Sequence, residues 1–149
     1  MEGRHRQQQQ VGRPRVSTPE NPSGALAIRA DALEEAYEFF LAYAAQGLQT
    51  EQHTGSQIRD FLKKFDGALD GFGDFFTQYI TELGLDPTPY RSFIAVIDRD
   101  ARDAQAAVQM VLAQPSIHSQ MIDNLNANIH VRALLTDLFL IDEILKPHS

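Results

Sequence analysis

The sequence predicts an all-α protein: an up-and-down bundle of four to five helices behind a disordered N-terminal tail. Three observations predict it. Apolar residues recur at alternating steps of three and four along most of the chain, the period of one helix face. Gly47, Gly84 and Pro115 fall where those periodic segments end, as helix stops do. No segment alternates apolar and polar residues between turn signals, as a half-buried strand would. With 149 residues, 43% of them hydrophobic and 22% charged, the chain has the size and composition of one globular domain. Residues 1–23 read as the tail and 24–149 as the bundle.

The tail contains four glutamines at 7–10, three prolines at 14, 19 and 22, and almost nothing apolar. Burial cannot offset the entropy of ordering such a segment. Its arginines Arg4, Arg6, Arg13 and Arg15 face only Glu2 and Glu20, whereas the remainder holds 9 basic and 18 acidic residues within a net charge of −7. An acidic body repels a phosphate backbone. The tail is the one segment expected to reach an acidic partner or nucleic acid.

The first helix is expected from Ala25 or Asp31 to Gln46. Leu33, Ala36, Tyr37, Phe40, Leu41 and Ala44 supply its face, and Gly47 the left-handed stop. Glu34, Glu35 and Glu38 read as a solvated flank near the positive end of the helix dipole. Within this stretch, Ala36-Tyr37-Glu38 followed by Ala45 and Gly47-Leu48 resembles the helical dimerisation domain of bacterial stress-response regulatory phosphatases. The signature does not continue after Gly47, and no function is carried over from it.

The second helix is expected to run unbroken from a cap at Thr54 or Ser56 to Gly84. Ile58, Leu62, Phe65, Leu69, Phe72, Phe76, Tyr79 and Leu83 form a heptad-like seam, widened by Phe61, Ala68, Phe75 and Ile80. A seam this broad touches several neighbours, as in a bundle. Gly67, Gly71 and Gly73 interrupt it, but the seam keeps its phase through them. Gly67 and Gly71 would leave room for another helix to approach.

Thr88 is expected to cap a third helix from Pro89 to about Ala113. Its seam is Tyr90, Ile94, Ile97, Ala101, Ala104, Val108 and Val111, with Asp98–Arg102 and Arg99–Asp103 as surface pairs. After Pro115, Ser116 is expected to cap a fourth helix. The apolar phase there shifts from Ile117, Met121 and Leu125 to Val131, Leu134, Leu138, Ile141 and Leu145, so a kink or a break falls near Asn126–Asn128. Leu134 to Leu145 is apolar nearly all round. Such a helix is central in its own bundle or shared with a second subunit.

Chemistry-bearing patterns are sparse. The chain has no cysteine, which removes disulfides, thiolate metal sites and a cysteine nucleophile. His53, His118 and His130 lack the Glu-x-x-His or His-x-x-x-His spacing of bundle metal sites. Ser116 and Ser119 flank His118 without the elbow a nucleophile needs, and no glycine-rich phosphate loop occurs. His130-Val131-Arg132 differs from the phospho-accepting start of sensor-kinase dimerisation helices: the acid is missing, the arginine is one place early and the proline is absent. No catalytic, cofactor or metal residue is predicted. The N-terminus has no apolar h-region and no run is long enough for a bilayer, so the sequence reads as cytoplasmic, without a membrane partner.

The function expected from these features is a non-enzymatic interaction or assembly module. It would bind protein partners and self-associate through Leu134, Leu138, Ile141 and Leu145. One alternative is a sensor or carrier of a small hydrophobic ligand, with a pocket among Phe65, Phe72, Phe76, Ala101 and Ala104. Another is a regulator that touches nucleic acid through the tail arginines.

Overall fold

The computed structural model describes residues 22–51 and 57–149. Among them the fold is all-α. Helix α1 spans Pro22–Ala45, α2 Gln57–Leu69, α3 Phe72–Glu82, α4 Arg91–Leu112, α5 Ser119–Ala127 and α6 Ile129–Leu145. Short 3-10 turns at Thr88–Tyr90 and Lys146–His148 precede α4 and follow α6. The six helices make four rods: α1, α2 with α3, α4, and α5 with α6. Each rod packs on the next, and α5 returns to α1, which closes the bundle. Residues 1–21 of the expected tail and the caps at Thr54 and Ser56 lie outside the described residues, while Pro22 and Ser23, read as the end of the tail, belong to α1.

Most of the core is the set that the three-and-four spacing picks out; on α1, however, Leu41 is 48% exposed and Tyr43 is buried instead. Leu33, Ala36 and Phe40 of α1, Ile58, Leu62, Phe65 and Leu69 of α2, and Phe72, Phe76, Tyr79 and Ile80 of α3 are buried. So are Ile94, Ile97, Ala101, Ala104, Val108 and Val111 of α4. Phe61 stacks on Phe39 with ring centroids 4.4 Å apart, which joins the flank of the seam to α1.

Several boundaries differ from expectation. The described part of α1 starts at Pro22, ahead of the expected Ala25 or Asp31. Glu34, Glu35 and Glu38 are therefore mid-helix, where the dipole exerts little. Glu35 instead pairs with Lys64 at 2.8 Å. The second rod breaks at Asp70–Gly71, with Gly71 left-handed at φ 62°. The break preserves the seam because Leu69 and Phe72 stay three apart and both face inward. Arg29 offsets the hydrogen bonds lost there: its guanidinium donates to the carbonyls of Ala68 and Asp70, each at 2.9 Å, and lies 4.6 Å from the Phe75 ring centre. Burial holds the Arg29 pKa below its usual value, and Asp70 acts against that. The close approach is at Gly73, not at Gly67 or Gly71. A Cβ on Gly73 would lie 2.5 Å from Asp98 Oδ1, whereas one on Gly67 or Gly71 meets nothing within 4 Å. The Gly73 N–H donates to that same oxygen at 3.1 Å.

Asp86, not Thr88, organises the third rod's entry by accepting from the Thr88 N–H at 3.1 Å. Asp98 and Arg102 pair at 2.9 Å. Asp103 turns from Arg99 towards His130, with Nδ1 and Oδ2 3.7 Å apart. The last rod breaks at Asn128, whose extended backbone ends α5 and whose side chain accepts from the N–H groups of His130 and Val131. His118, not Ser116, caps α5: its Nδ1 accepts from the Met121 N–H at 3.3 Å.

The serines are used in a polar clamp that fastens the loop after α1 to the loop after α4. Ser119 Oγ donates to the Tyr43 carbonyl at 2.7 Å and accepts from the Leu48 N–H at 2.8 Å. The Tyr43 hydroxyl donates to the Ile117 carbonyl at 2.6 Å. Arg59 grips Glu51 through two hydrogen bonds of 2.9 and 2.8 Å and also donates to the carbonyls of Leu112 and Gln114 at the end of α4. That grip holds the Glu51 carboxyl below its usual pKa, with the Ile117 N–H assisting against burial.

Candidate interaction face

Helix α6 divides by phase. Val131, Leu134, Leu138, Ile141 and Leu145 face the core and are buried. Leu135 is buried beside them at 8% exposure, and the remaining large apolar side chains face solvent: Ile129 is 69% exposed, Phe139 56%, Leu140 52% and Ile144 47%. Ile129, Ala133, Leu140 and Ile144 are separated by four, seven and four residues, so they line one outward stripe. The described residues expose eight large hydrophobics, and four of them are on this helix. Single exposed apolar residues are normal on any surface, whereas here four share one helix.

A groove runs beside the stripe. α6 packs chiefly on α4, and α1 on α2 and α5, so α1 and α6 flank a cleft of about 190 Å³. Glu34 and Tyr37 form its α1 wall, and Arg132, Leu135, Thr136 and Phe139 its α6 wall. The Glu34 carboxylate and the Arg132 guanidinium have no hydrogen bond or ion pair with any described residue. The groove thus has an apolar floor and one unpaired charge of each sign at its rim.

On the opposite flank of the stripe, Asp137 of α6 meets Asp100 of α4. One Asp137 oxygen is buried without a hydrogen-bond donor. Two ionised carboxylates have no proton to share, so the contact is favourable only while one is protonated. Burial first, then the Asp100 hydrogen bond and charge, push the Asp137 carboxyl up to about 7.

The residues singled out from the sequence are distributed otherwise. Leu134, Leu138, Ile141 and Leu145 are buried within the chain's own core, because they carry the inward phase of α6. The large apolar side chains that α6 leaves at the surface are Ile129, Phe139, Leu140 and Ile144 instead. Phe65, Phe72, Phe76, Ala101 and Ala104 are also buried, and the clefts of the described surface are lined by other residues. The phenylalanine rings fill their space against one another, Phe76 lying edge-on to Phe72 and to Phe75 at 5.1 Å each. Arg4, Arg6, Arg13 and Arg15 lie outside the described residues. Among the described residues, no three His, Asp or Glu side chains converge as a metal set, and no helix is long and apolar enough to cross a membrane. No protein-family model, curated protein or solved structure matches the chain.

Proposed function

We propose that the protein is a non-enzymatic helical assembly module that self-associates through the outward face of α6. The row of exposed Ile129, Phe139, Leu140 and Ile144 carries this reading. Fully burying an Ile, Leu or Phe side chain contributes about 1.5–3 kcal/mol, and these four are roughly half exposed, so a partner has several kcal/mol of apolar burial to gain. The cysteine-free sequence suits a reducing compartment, and on this reading the protein works in the cytoplasm. The tail arginines would serve a second, acidic partner.

Replacing Leu140 and Ile144 together with glutamate tests the reading. Both side chains are at the surface, so helix content and melting temperature should stay near those of the wild type. The double variant should sediment as a monomer at concentrations where the wild type is associated. Association undiminished in the variant would place the contact elsewhere.

A second reading, a carrier of small hydrophobic ligands, has one observation in its favour. A cleft of about 360 Å³ lies between α3 and α4, lined by the apolar Ile80, Ile94 and Ala95 and by the charged Arg91, Asp74 and Asp98. Its volume is within the range of ligand pockets. Octanoate, with an apolar chain for those side chains and a carboxylate for Arg91, should raise the melting temperature on this reading. No shift with octanoate or with a panel of apolar and aromatic compounds removes it.

A further inference from the structure

We infer that the occupant of the α6 face is a second copy of this chain, docked about a two-fold axis so that Arg132 of each copy meets Glu34 of the other across the α1–α6 groove. The inference rests on the assembly reading and names its partner. A two-fold contact is self-complementary: if residue i of one copy touches residue j of the other, j also touches i. The groove meets that requirement with its own residues. Its rim carries one acid on α1 and one base on α6, both without a partner among the described residues. Arg132 is the only lysine or arginine in α6. A purely acidic partner would leave Glu34 opposed, and a purely basic one would oppose Arg132. A second copy supplies both charges in the reciprocal order.

The apolar part fits the same arrangement. Phe139 is 56% exposed at the groove wall, with Tyr37 and Leu135 beside it. Under a two-fold operation each Phe139 enters the other copy's groove, an aromatic anchor inside a ring of polar contacts. The stripe of Ile129, Leu140 and Ile144 continues the buried surface along α6. The charges fix register and orientation, and the apolar side chains supply affinity.

Charge reversal in the full-length chain tests the pairing. Glu34→Arg alone and Arg132→Glu alone each set like charges against each other twice in the dimer. Each should weaken self-association, read by sedimentation equilibrium, by about tenfold or more. The double variant Glu34→Arg/Arg132→Glu should recover most of the wild-type affinity. Mixing the two single variants should also recover it, because each then offers the charge the other lacks. Both side chains are exposed, so circular dichroism should show every variant folded. If the wild type associates and the single variants match it, or if neither the double variant nor the mixture recovers, this pairing is overturned while the assembly reading stands. A wild type that stays monomeric removes the assembly reading itself.

Discussion

A chain carrying Phe76→Ala is expected to lose about 3–5 kcal/mol of unfolding free energy, the usual result of truncating a buried phenylalanine. Phe76 is buried and lies edge-on to both Phe72 and Phe75. Truncation removes its transfer free energy and those ring contacts and leaves a cavity that the α3–α4 contact cannot close. A domain of this size is stable by only about 5–15 kcal/mol, so the urea midpoint should fall by a large fraction. The half-buried neighbour Phe75 should lose clearly less when treated the same way. A loss below about 1 kcal/mol at Phe76 would mean that the ring borders space rather than packed neighbours, contrary to its place in the core.

Replacing Asp137 with asparagine should change how stability depends on pH. In the folded chain the Asp137 carboxyl is pushed up to about 7 from an ordinary value of 3.8. Between those values the folded state holds a proton that the unfolded state has released. Stability therefore falls as pH rises through that window, and the contribution is lost above about 7. Each tenfold change in proton affinity is about 1.4 kcal/mol. Solvent reaching the half-buried pair screens the full amount to about 1–2 kcal/mol. Asparagine keeps a donor towards Asp100 at every pH. The variant should be more stable than the wild type by about 1–2 kcal/mol above neutrality, with little difference at acid pH. Urea titrations across the pH range measure this directly, and parallel wild-type and variant curves would contradict it.

Periodicity carried most of the fold. The seams of α2, α3 and α4 and the phase shift near Asn126–Asn128 are visible as spacings of apolar residues, because burial of one face is what those spacings record. The break at Asp70–Gly71 was hidden for a physical reason. A left-handed residue there leaves Leu69 and Phe72 both facing inward, so the hydrophobic pattern does not register it. Only the pairs Asp66-Gly67 and Asp70-Gly71 signal it, and the partner that satisfies the broken end, Arg29, comes from another helix. The caps expected at Thr88 and Ser116 are replaced by Asp86 and His118, and Asn128 was legible only as the place of a kink or break. Asn128 bonds its own helix, whereas Ser116 and Ser119 are drawn to the loop after α1, which no local pattern foretells.

The outward face of α6 was half legible. That α6 is apolar nearly all round is plain from Leu134 to Leu145. Choosing the residues that lie on one heptad phase selected those that the chain buries itself. The outward set, Ile129, Phe139, Leu140 and Ile144, is what remains once that phase is assigned to the core. Glu34 and Arg132 are nearly a hundred residues apart and carry no mutual signal in the sequence. Their opposition across one groove follows from the closure of the four rods.

Molar mass in solution across a wide range of concentration tests the central claim most directly. Sedimentation equilibrium of the wild-type chain should show a reversible passage from 16.7 kDa to twice that mass. A chain that remains at 16.7 kDa at the highest concentration would contradict the account and leave the outward face of α6 without the role assigned to it.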